Sequence, residues 1–190
     1  GIGKATCCRF AEEGAKVAVF DLNGDGAAEV AAEINDSGGV AEAVLVDLTD
    51  YAAVQKAVTD TEDKLGPVDV LVNNAGWDRF TPFLKTEPDF WQQLININLI
   101  SVLNMSHVVV AGMAERGAGR VVNVASDAGR VGSSGESVYA ACKGGIVAFT
   151  KTLAREHARQ GLTFNTVCPG LTETAMFEGF LEAAGNPDKL

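Results

Sequence analysis

Short apolar runs alternate with longer polar stretches of helical period along the whole chain. Lys4 to Glu13 has helical spacing and stops at Gly14, and Val17-Ala18-Val19-Phe20 follows as an apolar run ending in Asp21. Residues 25 to 35 then read as helix, 43 to 46 as strand ending in Asp47, 51 to 65 as helix and 68 to 72 as strand ending in Asn73. Two long helices are predicted over 90–116 and 138–159, interleaved with strands at 121–124 and 163–167. Continuous apolar strands, each followed by a helix, predict a parallel sheet covered on both faces, the doubly wound α/β architecture of the Rossmann type. Neither repeats nor a linker interrupts the pattern, so residues 1–190 read as one domain. Such sheets bind ligands beyond the carboxyl ends of their strands. Here those ends carry Asp21, Asp47, Asn73 to Gly76, Ser126 and Pro169-Gly170.

Charge narrows the partners. With 15 basic and 25 acidic side chains the formal charge is −10, which argues against nucleic acid and anionic membranes. No apolar run approaches the length of a membrane span, and no signal peptide opens the chain, so a cytoplasmic protein is expected. Cys7, Cys8, Cys142 and Cys168 lack metal-ligand spacing and read as reduced thiols, and no metal site is expected. The chain opens at Gly1 inside what reads as a glycine turn and closes at Leu190 inside what reads as a loop. The first and last strands of a complete sheet are therefore expected to be missing. Without the first, two blocks of sheet lose a shared neighbour, and the chain alone is expected to be unstable or inactive.

The candidate chemistry collects at the strand ends. Gly1-Ile2-Gly3 opens a helix, as the second half of a phosphate-cradling loop does. Asp21, about 20 residues on at the end of the next strand, can accept hydrogen bonds from an adenosine ribose and would repel a 2′-phosphate, which favours NAD over NADP. It also reads as a plain strand-end turn residue. Tyr139 and Lys143 lie four apart on a predicted helix and so share a face. An ammonium there would lower the phenol pKa towards a useful acid–base range. An amphipathic surface pair is the competing reading, and Ser126 at the preceding strand end shifts the balance.

With these residues in place the chain resembles the short-chain dehydrogenase/reductase family. Val72-Asn73-Asn74-Ala75-Gly76 resembles its Asn-Asn-Ala-Gly motif. Ser126 followed by Tyr139-Ala140-Ala141-Cys142-Lys143 resembles its Ser…Tyr-x-x-x-Lys site. Asn98 matches its helical Asn, and Pro169-Gly170 with Thr172 and Thr174 matches its nicotinamide-side segment. Ser101 stands where the family usually has Gly, and Cys142 replaces a commoner Ser. The resemblance implies reversible hydride transfer between a secondary alcohol and a ketone, with NAD as cofactor. Tyr139 would exchange the proton, Lys143 would tune it, Ser126 would hold the substrate oxygen and Asn98 a relay water. Gly1, Ile2, Gly3, Asp21, Asp47, Leu48, Asn74, Ala75, Gly76, Pro169, Gly170 and Thr172, with Tyr139 and Lys143, would bind the cofactor. The helices 90–116 and 138–159 would build a homodimer or homotetramer.

The loops Asn74-Ala75-Gly76-Trp77-Asp78 and Gly129 to Glu136 further resemble those of enzymes acting on cyclic 2-hydroxyacyl-CoA. Trp77, Asp78, Arg130, Ser133, Ser134 and Glu136 are candidates for the alcohol pocket, and Arg79 and Arg130 for CoA phosphates. A 3-oxoacyl-carrier-protein reductase is the alternative enzyme. A non-catalytic dinucleotide-binding regulator is the alternative outside enzymes, and an intact Asn98, Ser126, Tyr139 and Lys143 argues against it.

Overall fold

Parallel strands alternate with helices throughout the computed structural model of the chain, which describes residues 1–174 and 177. The order is α1 (Ile2–Glu12), β1 (Lys16–Asp21), α2 (Gly24–Asp36), β2 (Val40–Leu45), α3 (Tyr51–Leu65) and β3 (Val70–Asn73). After a 3-10 turn at Phe83–Lys85 come α4 (Pro88–Ile95), α5 (Ser101–Arg116), β4 (Gly119–Val124), α6 (Ala128–Val131), α7 (Ser137–Glu156) and β5 (Leu162–Val167). The ends are set locally. Asn23 accepts from Gly26 N–H to start α2, and Asp50 accepts from Ala52 and Ala53 N–H to start α3. Pro88 opens α4 at the helical position that needs no N–H. Gly117 closes α5 in the left-handed region at φ 67°.

The strands form a Rossmann-type α/β fold in two parallel blocks. β1 pairs with β2 from Lys16↔Val40 to Asp21↔Leu45. β4 lies between β3 and β5. No pairing joins β1 to β3; a cavity of about 1520 Å³ runs between them, lined by both strands along their whole length. The strand edges facing the cavity have no backbone partner among the described strands. Val54, Met113 and Val121, fully buried, centre the main core with Leu71, Val109 and Phe164. A smaller core of Val17, Ala31, Ile34 and Ala41 holds α1 and α2 on the two-stranded block.

Three expectations are corrected. The helix foreseen over 90–116, with its start near Pro88-Asp89, does begin at Pro88 but is not α-helical throughout: a π-helical turn, Asn96–Ile100, separates α4 from α5. The helix foreseen to 159 stops at Glu156, because the next four residues turn towards Gly161, which sits at φ 69°. The continuous helical stretch Pro88–Arg116 is long and apolar enough in composition to cross a membrane, although no such segment was expected. Unbroken apolar runs miss it because Asn96, Asn98, Ser101, Asn104 and Ser106 interrupt the sequence. Leu94, Val102, Met105, Val109, Val110 and Met113 bury its apolar face inside the fold.

Candidate active site

The cavity between the two sheet blocks continues past the carboxyl ends of the strands, and most of the anticipated residues meet on its wall. Gly1, Ile2 and Gly3 begin α1 there, with no side chain capping the exposed helix N–H groups. Asn74 packs onto this turn: a Cβ on Gly3 would stand 2.8 Å from Asn74 Nδ2. Asp21 ends β1 and accepts from Asn23 N–H at 2.9 Å. Asp47 follows β2 and accepts from Thr49 N–H at 2.8 Å and from its hydroxyl at 2.7 Å. Leu48, Asn74, Ala75 and Gly76 complete that side; Pro169, Gly170 and Thr172 close the other. Asp127 N–H donates to Pro169 O at 2.9 Å, tying the segment after β5 to the end of β4.

Ser126, Tyr139 and Lys143 stand together where the carboxyl end of β4 meets α7. Ser126 Oγ accepts from Ala128 N–H at 3.1 Å, which leaves its own proton free to donate. Lys143 is 3% exposed; its Nζ donates to Val124 O at 3.0 Å and lies 5.5 Å from the centre of the Tyr139 ring. Burial drives its pKa down to about 8, because the cation loses water. Burial likewise pushes the Tyr139 phenol up to about 12; the Ser126 hydroxyl beside it lowers it, while Glu136 and Asp78 add to the rise. The expected lowering by Lys143 is therefore not what this site displays. The ammonium faces the ring and a carbonyl, and desolvation of the phenolate wins.

Asn98 stands behind the cavity wall. It is fully buried in the π-helical turn and does not line the cavity. Its Nδ2 donates to Trp77 O at 2.7 Å and to Leu94 O at 3.0 Å, and its Oδ1 accepts from Trp77 N–H at 3.1 Å. It thus clamps the loop after β3 to the long helix. A Cβ on Gly76 would lie 2.9 Å from Asn98 Oδ1 and 3.2 Å from Lys143 Nζ, so only glycine lets that loop pass between them.

Of the proposed pocket residues, Trp77, Ser133 and Glu136 line the cavity. Asp78, Ser134 and Arg130 do not: Asp78 is buried behind the wall, Ser134 is exposed off it, and Arg130 pairs with Asp127 in solvent. Arg79, the other candidate for CoA phosphates, stacks its guanidinium 4.7 Å over the Phe90 ring. Sequence reasoning missed the buried amide chain beneath the site. Asn73 Nδ2 donates to Asn123 Oδ1 at 2.8 Å and to Ser106 Oγ at 3.2 Å, and Asn123 Nδ2 donates to Thr150 Oγ1 at 2.8 Å. Its signal in the sequence was a lone Asn inside an otherwise apolar strand, Asn123. The four cysteines are free thiols, and among the described residues no three of His, Cys, Asp or Glu gather as metal ligands.

The family description "short chain dehydrogenase" matches residues 1–184 of the chain. The chain is 40% identical over 186 residues to acetoacetyl-CoA reductase of Shinella zoogloeoides, covering 98% of this chain and 76% of that protein. It is 38% identical over 176 residues to a 3-oxoacyl-acyl-carrier-protein reductase of Vibrio harveyi, covering 93% and 71%. Among solved structures, gluconate 5-dehydrogenase of Burkholderia cenocepacia with NADP and tartrate superposes with a TM-score of 0.92 at 33% identity, covering 100% and 74%. A variant of actinorhodin polyketide ketoreductase with NADPH superposes with a TM-score of 0.95 at 34% identity, again covering 100% and 74%. Matched along nearly its whole length, the chain belongs to the short-chain dehydrogenase family, as an oxidoreductase that uses a nicotinamide dinucleotide.

Proposed function

We propose that the protein interconverts a 3-oxoacyl and a 3-hydroxyacyl thioester, with NAD(H) as cofactor. The carrying observation is the convergence of Ser126, Tyr139 and Lys143 on one cavity wall, with glycine at position 76 giving the cofactor-side loop room to pass. The donor set suits a dinucleotide. The uncapped N–H groups of α1 suit a pyrophosphate, the Asp21 carboxylate a ribose diol, and Asp47 with Leu48 an adenine. Asn74 to Gly76, Pro169, Gly170 and Thr172 would hold the nicotinamide end, with Tyr139 and Lys143 beside the second ribose. When bound, the cofactor gives or takes the hydride. NAD rather than NADP is favoured because, among the described residues, the cavity's cations beside Lys143 are Lys4, paired with Glu33, and Lys16, at the far end of β1. A 2′-phosphate would meet Asp21 without a free cation.

Ser126 donates its hydroxyl proton to the substrate oxygen and stabilises charge developing there. Tyr139, protonated well above neutral pH, would donate its proton to the ketone oxygen in reduction and take it back from the alcohol in oxidation. Lys143, near its own titration range, holds a mobile proton one helical turn away. Asn98 acts through the Trp77 backbone as a positioning residue. The relatives named for acetoacetyl-CoA and 3-oxoacyl-carrier-protein chemistry support the thioester class. The loops at 74–78 and 129–136 resemble those of 2-hydroxycyclohexanecarboxyl-CoA dehydrogenase, whose cyclic substrate carries the same β-hydroxyacyl pattern, and favour an alicyclic ring in that position. A homodimer or homotetramer through the helices of residues 88–116 and 137–156, in the cytoplasm, completes the proposal.

The test is steady-state reduction of acetoacetyl-CoA and 2-oxocyclohexanecarboxyl-CoA, with NADH and with NADPH, by the protein in its natural full length. NADH-linked turnover is expected, and Tyr139→Phe should lower it by about 10²-fold or more. Undiminished turnover in Tyr139→Phe would remove the acid–base role, and a preference for NADPH would overturn the reading of Asp21.

A further inference from the structure

One buried acid is left over by this chemistry. Asp78 follows the cofactor-side loop and is 3% exposed, yet neither carboxylate oxygen makes a well-formed hydrogen bond, the Arg79 N–H being the donor beside it. Buried acceptors are almost always satisfied, and an unpaired buried carboxylate costs several kcal/mol, so this position needs an explanation. The loop is held in place by its neighbour. Thr81 N–H donates to Gly135 O at 2.8 Å, and Gly135 turns at φ 82° with Phe80 and Thr81 packed against it. That stitch brings Asp78 against Glu136, the residue before α7, and Thr86, Phe90, Leu94 and Val138 close the two off from that side. Glu136 also reaches the main cavity, three positions before Tyr139, and its carboxyl is near enough to raise the phenol pKa.

Two ionised carboxylates cannot hydrogen-bond, whereas one shared proton gives the missing donor. We propose that Asp78 and Glu136 form a carboxylic acid–carboxylate pair that fixes one negative charge on the wall of the alcohol pocket beside Tyr139, and that this charge selects acyl substrates whose carboxyl group is masked, as in a thioester or ester, over the free oxo acid. The proton resides on Asp78, the more buried member. Burial pushes its pKa up to about 7; the Arg79 N–H pulls the other way, the facing Glu136 adds to the rise, and the Arg79 guanidinium pulls least. The remaining titratable groups on that side are Tyr139, whose pKa the pair raises, and the Cys142 thiol, which Asp78 also raises. Lys143 points away to Val124 O. Asp78 itself does not reach the cavity and is a positioning residue for Glu136. The proposal rests on the acyl-reductase reading, because it needs a carboxyl group next to the reacting ketone.

The experiment compares ethyl acetoacetate with acetoacetate as substrates of the full-length protein, with NADH and with NADPH. A preference in kcat/KM of roughly a hundredfold for the ester is expected, the effect of two like charges about 6 Å apart at an effective dielectric of about 20. Glu136→Gln should raise acetoacetate turnover and narrow the preference by about tenfold or more, on the same electrostatic basis. Asp78→Asn, whose amide still donates to Glu136, should retain the preference; Asp78→Ala should narrow it. An unchanged ratio in Glu136→Gln overturns the proposal. If wild type reduces neither ketone, the acyl-reductase reading and the selectivity that rests on it fail together. The shared proton is read separately by infrared spectroscopy at pH 6. A protonated carboxyl band lost in Asp78→Asn supports the pair, and its absence from wild type overturns it.

Discussion

Replacing Asp78 by Asn should stabilise the protein, and by more at pH 8 than at pH 5. The side chain is 3% exposed, and burial, opposed by the Arg79 N–H and aided by the facing Glu136 carboxyl, lifts its pKa from 3.8 to about 7 in the folded state. The sign follows from proton counts. Below about pH 4 the group is protonated folded and unfolded, and costs nothing. Between about 4 and 7 the unfolded chain releases the proton while the folded one keeps it, so stability falls as pH rises. Above about 7 both have released it and the penalty levels off, at about three pH units of about 1.4 kcal/mol each, or about 4 kcal/mol. At pH 5 the same arithmetic leaves about 2 kcal/mol. Asparagine has the same shape, carries no charge at any of these pH values, and donates an N–H to Glu136. Urea unfolding at both pH values measures the difference. With a slope of about 2 kcal/mol per molar, the advantage of Asp78→Asn should be about 1 M larger in midpoint at pH 8 than at pH 5. A midpoint shift of the same size at both pH values, or a loss at both, would refute the reasoning, because an ionised and well-solvated Asp78 has no pH-dependent penalty to remove.

Two other substitutions probe the site and its foundation. Gly76→Ala places a methyl 2.9 Å from Asn98 Oδ1, which three hydrogen bonds hold in place, and should cost about 1–3 kcal/mol in thermal stability along with most of the turnover; an unshifted melting temperature with full activity would contradict it. Asn123→Ala removes the acceptor of Asn73 and a donor to Thr150 inside the core, at about 2–3 kcal/mol, which for a chain of this size lowers the melting temperature by roughly 5–10 °C in a calorimetric scan.

The alternation of apolar strands with helices made the order of elements legible, because Asp21 and Asn73 end β1 and β3, Asp47 follows β2, and Gly161 precedes β5. The grouping of Ser126, Tyr139 and Lys143 was legible too: Ser126 follows a strand end, and Tyr139 and Lys143 sit one turn apart on α7. What stayed hidden depends on contacts distant in sequence. The π-helical turn that buries Asn98 arises where the long helix meets the Trp77 loop, and nothing local in Ile95 to Ile100 announces it. The phenol pKa went the other way from expectation because spacing on a helix reveals proximity of Lys143 but not the desolvation of Tyr139. Asp78 read as a pocket residue, since exposure of a charged loop residue is the usual case, and only the Thr81–Gly135 stitch puts it inside.

The two halves of the site are built to different tolerances, and this separates what evolution or engineering can change cheaply from what it cannot. Tyr139, Lys143 and Asn98 are buried, and their surroundings are themselves buried: Asn123 bonds Thr150 on α7, and Asn98 bonds both the loop and α4. Proton transfer demands such fixed geometry, since small misplacements of the reacting groups cost large factors in rate. Asp21 and Asp47, on the other block of sheet, are exposed and satisfied by N–H groups only two residues away. Exchanging either disturbs a local turn and no core contact. On the proposed reading, the choice between dinucleotides would therefore rest on side chains that can be replaced with little loss of stability, while Asn98 and the buried amides beneath Lys143 could not be removed without unsettling the long helices.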